Sequence, residues 1–188
     1  MFTAESEGIA RVNEELRAEM LGMAGEDLRV REELLRAGRL PRDSYSPVMR
    51  EIHERNNRRI REIVAEHGWP GRRLVGEDGC EAAWLLVQHA VLEPEFQDSC
   101  VPLLEAAVAE GDAPAWQLAY LQDRMLVRRG EPQIYGTQYR MTGTGKSVPF
   151  EIADADTVDE RRRAVGLPTL EENTRRIHAE DELLSDGE

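Results

Sequence analysis

A chain of 188 residues can form one domain with a substantial core, and its formal net charge of −13 opposes binding to phosphate backbones and anionic lipids. Nucleic acid and membranes are therefore excluded as expected partners. Cys80 and Cys100 are too few for a disulfide framework, and no apolar stretch is long enough to cross a bilayer. We expect a cytoplasmic protein.

Residues 1–45 are predicted to form two charged amphipathic helices. Apolar side chains recur at helical spacing over 4–21, and the pattern resumes beyond Gly22 and Gly25. Glycine weakens a helix, so we expect these positions to separate two helices. The segment is expected to pack with the rest of the chain as one compact domain. It is also expected to offer a surface for a homodimer or a protein partner.

The part of the chain that carries the motifs, residues 46–179, is predicted to be a helical bundle. Ser46 as cap and Pro47 at the first helical position predict the start of a long helix. The remaining predicted elements are, in chain order, the rest of this helix over 48–66, a loop over 68–79, an apolar central helix over 77–92, amphipathic helices over 94–110 and 113–129, a β-hairpin over 133–152, a helix over 158–179 interrupted near Gly166, and an acidic tail over 180–188. The predicted fold class is mainly α, a compact helical bundle with one β-hairpin.

The stretch "GTGKS" at 143–147 looks like the end of a phosphate-binding loop. Such a loop needs a glycine where this chain has Arg140, and a helix should follow it. Pro149 and several β-forming residues follow instead. The pattern is therefore typical of a hairpin turn, and the protein is not predicted to be a P-loop NTPase.

Several polar side chains occupy helix positions that the apolar pattern predicts to be buried. Gln88 and His89 lie inside the apolar central helix. His53 and Asn56 lie along the buried stripe of the long helix. A buried polar group without a partner costs about 1–3 kcal/mol, so each of these side chains needs a structural partner or a ligand. Gln97, Asp123 and Arg124 are singled out on the following two helices, and Tyr135 and Gln138 on the first strand of the predicted hairpin.

An ordered set of short sequence blocks resembles a bacterial domain family of unknown function. The blocks are GWP at 68–70, AAWLLVQHA at 82–90, FQ at 96–97, DR at 123–124 and YGTQ at 135–138. The resemblance covers about 49–169, and the segment before it and the acidic tail fall outside. It implies no activity. It implies only that the polar residues within these blocks belong to the motifs of the family.

Two hypotheses from different classes explain the polar residues. In the first, the protein is an enzyme for a hydrolytic, proton-transfer or group-transfer reaction on a small polar or anionic molecule. The expected catalytic residues are His89, Tyr135 and Asp123, and the expected substrate-binding residues are Gln88, Gln97, Arg124, Gln138, Asn56 and His53. In the second, the protein is a non-catalytic binding or regulatory module, and the same residues form a structural network that includes an Asp123–Arg124 ion pair.

The enzyme hypothesis is favoured because many hydrogen-bonding side chains of different types fall in the apolar part of the sequence. No metal or other cofactor is predicted. A metal centre would need His53, His67 and His89 to come together from three separate segments.

Overall fold

Long helices make up most of the structure, a computed structural model that describes residues 11–41, 45–143 and 146–185. The elements are α1 (Glu14–Arg36), α2 (Pro47–His67), α3 (Arg72–Gln88), α4 (Pro94–Ala109), α5 (Ala115–Arg128), β1 (Tyr139–Met141), β2 (Ser147–Pro149), a 3-10 turn (Ala155–Thr157), α6 (Val158–Ala164) and α7 (Leu170–Ser185). The two strands pair antiparallel as a hairpin. The predicted mainly α fold with one β-hairpin is confirmed. None of the described helices is both long and apolar enough to cross a membrane.

The first helix, α1, is continuous where two helices were predicted. Gly22 and Gly25 lie inside it, and the Asn13 side chain caps its start by accepting a hydrogen bond from the Leu16 N–H. The residues that α1 buries are Leu16, Met20, Ala24, Asp27 and Leu34. This face packs against α3. The burial outweighs the cost of about 1 kcal/mol that each glycine imposes, so the predicted interruption is wrong. The part of the prediction over 4–10 lies outside the described residues.

The long helix α2 begins and ends where its local signals indicate. The Ser46 side chain accepts a hydrogen bond from the Met49 N–H, and Pro47 occupies the first turn. Gly68, with φ of 72°, ends the helix. The buried face of α2 carries polar as well as apolar side chains: Met49, Ile52, His53, Asn56, Asn57, Ile60, Ile63 and Val64.

The central helix α3 differs from its prediction at both ends. It begins at Arg72, inside the predicted loop, because the Arg72 N–H binds the Asp112 carbonyl and the Arg73 N–H binds the Asp112 carboxylate. Gly76 then kinks it, with φ of 75° and ψ of 176°. At the other end the helix stops at Gln88 rather than at 92. His89 is therefore the residue that caps the helix, not one inside it.

The main core lies among the first five helices, with α4 packed on α5 and α1 and α2 packed on α3. Fully or almost fully buried side chains at its centre are Met20, Ile60, Ile63, Val75, Leu86, Leu104 and Leu121. These helices bring the ends of separate sequence segments close together. Buried polar side chains also lie among these helices, and some of them form the candidate site.

The C-terminal part consists of the hairpin, α6 and α7. The strands are shorter than the predicted hairpin, because residues before Tyr139 form an irregular loop. The predicted break near Gly166 is confirmed by the gap between α6 and α7. The acidic tail was predicted to begin at residue 180, but α7 continues to Ser185. Asp181 is buried there and accepts hydrogen bonds from the Ser147 N–H and hydroxyl.

Candidate functional site

Three residues from three helical segments meet around one carboxylate oxygen. Asp27 Oδ2 lies 2.8 Å from His89 Nδ1 and 3.0 Å from His53 Nε2. The two imidazole rings are 5.2 Å apart between centroids. We call Asp27, His53 and His89 the His–Asp cluster. It is the group of three potential metal-ligating side chains that the described residues bring together, with one ligand atom from each residue within 4.8 Å of the others.

The helix packing accounts for this convergence. Asp27 lies on the buried face of α1, and His53 lies on the buried face of α2. His89 directly follows the last turn of α3, which packs against both helices. The Asp27 side chain is fully buried, the His53 side chain is 10% exposed, and the His89 side chain is 26% exposed. Solvent therefore reaches the cluster mainly at His89.

Two further interactions define the electrostatics of the His–Asp cluster. Burial alone would raise the pKa of Asp27, but its contacts with His53 and His89 more than offset this and hold that pKa below its ordinary value. Asp27 is therefore a carboxylate at neutral pH. On the other side of the His53 ring, Nδ1 is hydrogen-bonded to the Tyr45 hydroxyl. This bond fixes the ring so that Nε2 faces Asp27.

Several buried polar atoms in and near the cluster have no hydrogen-bond partner among the described residues. Asp27 Oδ1 is one, and His53 Nε2 is another, because its short contact with Asp27 lacks the alignment of a hydrogen bond. Both polar atoms of the Asn57 amide and both of the Gln88 amide are also without a partner, as is Asn56 Oδ1. Asn56 and Asn57 lie one turn beyond His53 on α2, and Gln88 precedes His89. A native core rarely leaves so many buried polar atoms unpaired.

Gln97 and Arg124 both bind the end of α3, and Arg124 Nε is buried without a hydrogen-bond partner among the described residues. The Gln97 amide donates to the carbonyls of Val87, at 2.8 Å, and Gln88, at 3.1 Å. Arg124 Nη1 donates to the same Gln88 carbonyl at 2.9 Å. Burial, and to a lesser degree the charge of Arg128, lowers the pKa of Arg124. Both side chains thus donate to the Gln88 carbonyl at the end of the helix, whereas the Val87 carbonyl also accepts from the Ala90 N–H.

Asp123 organises the loop that precedes the hairpin. Its fully buried carboxylate accepts hydrogen bonds from the N–H groups of Ile134, Tyr135 and Thr137 and from the Thr137 hydroxyl. The Gln138 side chain donates to that hydroxyl. The predicted Asp123–Arg124 ion pair is therefore wrong, because backbone donors occupy the carboxylate.

Tyr135 is half-buried, and burial together with the charge of Asp123 raises its pKa. Among the described residues, no hydrogen bond, ion pair or ring contact joins Asp123, Tyr135 or Gln138 to His89. The predicted residues therefore divide into two groups. His53 and His89 belong to the His–Asp cluster, with Asn56 and Gln88 as their chain neighbours, whereas Asp123 and its loop form a separate network.

Sequence reasoning missed Asp27 and Tyr45. Asp27 carried a usable signal, because it continues the helical spacing of Met20 and Ala24 on the buried face of α1. Tyr45 carried none, since it stands in a short connection before α2. A metal centre was not predicted because histidines from separate segments were not expected to meet. His53 and His89 do meet, but the third member of the group is Asp27 and not His67. His67 lies 3.6 Å from Glu66 instead.

The chain belongs to a family of unknown function, DUF6624, whose sequence model matches residues 14–183. The predicted membership in a family of unknown function is confirmed, and the match is longer than the predicted 49–169 because it includes α1 and most of α7. The bacterial origin of the family stays a prediction. No curated protein and no solved structure is detectably similar to the chain. The function must therefore be argued from the chemistry of the site.

Proposed function

We propose that this member of the DUF6624 family is an enzyme that hydrolyses a small polar molecule, with the His–Asp cluster as its reaction centre. One observation carries the proposal: a fully buried carboxylate oxygen is contacted by two imidazoles, one of which is partly open to solvent. Titratable groups of different types that converge in a buried, solvent-reachable position are typical of active sites.

The chemistry of these three side chains suits the activation of water. A carboxylate and two imidazoles can hold and polarise a water molecule and take up its proton. His89 is the most exposed of the three, so a substrate would approach from its side. The substrate must be small, because Asp27 and His53 lie behind His89 in the core.

The unpaired amides support a polar substrate. Asn57 and Gln88 each retain a buried donor and a buried acceptor that none of the described residues binds. Such groups can orient a molecule that carries hydroxyl, amide or carboxylate groups. Arg124 binds the Gln88 carbonyl through Nη1, and its Nε is buried without a partner among the described residues, so an anionic group on the substrate is also compatible with the site.

The second hypothesis, a structural network without catalysis, is supported for one part of the predicted set. The Asp123 carboxylate is fully occupied by loop donors, as a structural role requires. We therefore propose a positioning role for Asp123 and a catalytic role for the His–Asp cluster.

The test is an activity screen that does not assume a substrate. Purified protein is incubated with a mixture of cell metabolites and with chromogenic esters, phosphoesters and amides, and depletion is followed by mass spectrometry and absorbance. We expect at least one hydrolysis, which His89→Ala and Asp27→Asn should reduce at least 100-fold while the fold persists by circular dichroism. His67→Ala is the matched control, because His67 lies outside the cluster. Hydrolysis that survives in all three variants would contradict the proposal.

A further inference from the structure

We propose that the His–Asp cluster binds one divalent transition-metal ion, with Asp27 Oδ2, His53 Nε2 and His89 Nδ1 as its protein ligands. This inference rests on the proposed hydrolytic function and deepens it by naming the cofactor. It is carried by the geometry of the three side chains, their hydrogen bonding and their donor chemistry.

The ligand spacing matches a metal centre. Two ligand atoms that each lie about 2.1 Å from one ion are about 3.4 Å apart in a tetrahedral site and at most about 4.2 Å apart in any site. Asp27 Oδ2 lies 3.0 Å from His53 Nε2 and 2.8 Å from His89 Nδ1. One ligand atom from each residue lies within 4.8 Å of the others, so small side-chain movements would bring all three into contact with a single ion.

The hydrogen bonding also favours an ion. His53 Nε2 lies 3.0 Å from Asp27 Oδ2 without a hydrogen bond, and within the described part of the chain Asp27 Oδ1 has no partner although the residue is fully buried. A buried carboxylate with an unpaired oxygen is costly in a purely structural network. A metal ion would instead accept the lone pairs of Asp27 Oδ2 and of both imidazoles, and would give His53 Nε2 a partner.

An outer partner holds one ligand in place. The Tyr45 hydroxyl is hydrogen-bonded to His53 Nδ1. When the Nδ1–H donates to this hydroxyl, Nε2 is the deprotonated nitrogen and directs its lone pair towards Asp27. Metal-binding histidines are commonly oriented by a second hydrogen bond of this kind.

The ligand set indicates the class of metal. Two imidazoles and one carboxylate favour Zn²⁺, Fe²⁺, Mn²⁺ or Co²⁺ over Mg²⁺ and Ca²⁺, which prefer oxygen ligands. Three protein ligands leave coordination positions open, and the solvent-facing side of His89 is where water and substrate can reach them. Such an ion would lower the pKa of a bound water and so would supply a nucleophile for the proposed hydrolysis.

The experiment uses the full-length, tag-free chain, stripped of metal with a chelator and titrated with Zn²⁺ in a calorimeter. We expect one equivalent to bind with a Kd below about 1 μM, a higher Tm with Zn²⁺, and a visible absorption band with Co²⁺. His89→Ala and His53→Ala should weaken binding at least 100-fold, and His67→Ala should leave it unchanged. Tyr45→Phe keeps all three ligands and should weaken binding about 10-fold.

Failure to bind Zn²⁺, Co²⁺, Mn²⁺ or Fe²⁺ by the stripped wild-type chain would overturn the metal site, whether or not the variants fold. Equal affinity in wild type and His89→Ala would overturn it as well. The two proposals can fail separately. Hydrolysis that persists unchanged in the stripped protein would refute the role of the metal but support the enzyme. Tight Zn²⁺ binding without any hydrolysis would support the metal site but refute the enzyme.

Discussion

Replacement of Asp123 by asparagine should destabilise the fold strongly. The carboxylate is fully buried and accepts hydrogen bonds from three backbone N–H groups and one hydroxyl, at 2.7 to 3.1 Å. In Asp123→Asn one oxygen remains as an acceptor, but the other becomes an NH2 group that cannot accept a hydrogen bond from the donors facing it. About two of the four donors therefore lose their acceptor.

The magnitude follows from these lost hydrogen bonds. A buried donor without an acceptor costs about 1–3 kcal/mol, so two of them cost about 2–6 kcal/mol. Tyr135 and Ile134 are only half-buried, and water can bind part of the released N–H groups. We therefore expect a loss of about 3 kcal/mol in the free energy of unfolding, roughly a 150-fold increase in the unfolded-to-folded ratio.

Urea denaturation followed by circular dichroism and tryptophan fluorescence measures this loss. The control is Asp98→Asn, because the Asp98 side chain is 30% exposed and its ion pairs with Arg128 and Arg129 lie near the surface. That variant should lose less than about 1 kcal/mol. If Asp123→Asn loses no more than the control, the carboxylate does not hold the loop. If it also abolishes activity, the catalytic prediction for Asp123 is the better one.

Three further predictions concern packing, thiol chemistry and the last helix. Gly136→Ala adds a carbon 2.8 Å from two side chains at φ of 68° and should lower the free energy of unfolding, measured in urea, by about 2–3 kcal/mol. The control Gly130→Ala, at φ of 73° with no atom within 4 Å, should lower it by about 1 kcal/mol, and equal losses would contradict the packing argument. Burial raises the pKa of Cys80 to about 11 and of Cys100 to about 12, so both thiols stay protonated at pH 8 and should react with Ellman's reagent only in urea; rapid labelling of the folded protein would refute this. Asp181→Ala removes the acceptor for the N–H and hydroxyl of the first residue of β2 and should cost about 2 kcal/mol, so an unchanged Tm would show that α7 does not support the hairpin.

Helix boundaries were predictable where the signal was local. Ser46 and Pro47 start α2 and Gly68 ends it, because capping and left-handed backbone depend on the residues at those positions alone. Predictions failed where packing competes with propensity. Gly22 and Gly25 stay helical because the apolar face of α1 packs against α3. The end of α7 is likewise held by a distant residue of the hairpin.

The candidate site shows the same division. Polar residues on buried helix faces can be found from their spacing alone, and this criterion identifies His53 and His89. The criterion does not say which of these residues meet. Asp123 satisfies it equally well, and Tyr135 and Gln138 are polar residues of the predicted hairpin strand, yet the fold joins all three in a loop network of their own.

By itself, then, the sequence determined the helical class, the hairpin, most helix ends and part of the set of buried polar residues, because each depends on periodicity or on capping between near neighbours. Only the tertiary structure decided that Asp27 from α1 stands between His53 and His89, 26 and 62 residues further along the chain. The physical reason is that side-chain convergence depends on how three helices pack, and packing responds to the whole core rather than to any one segment.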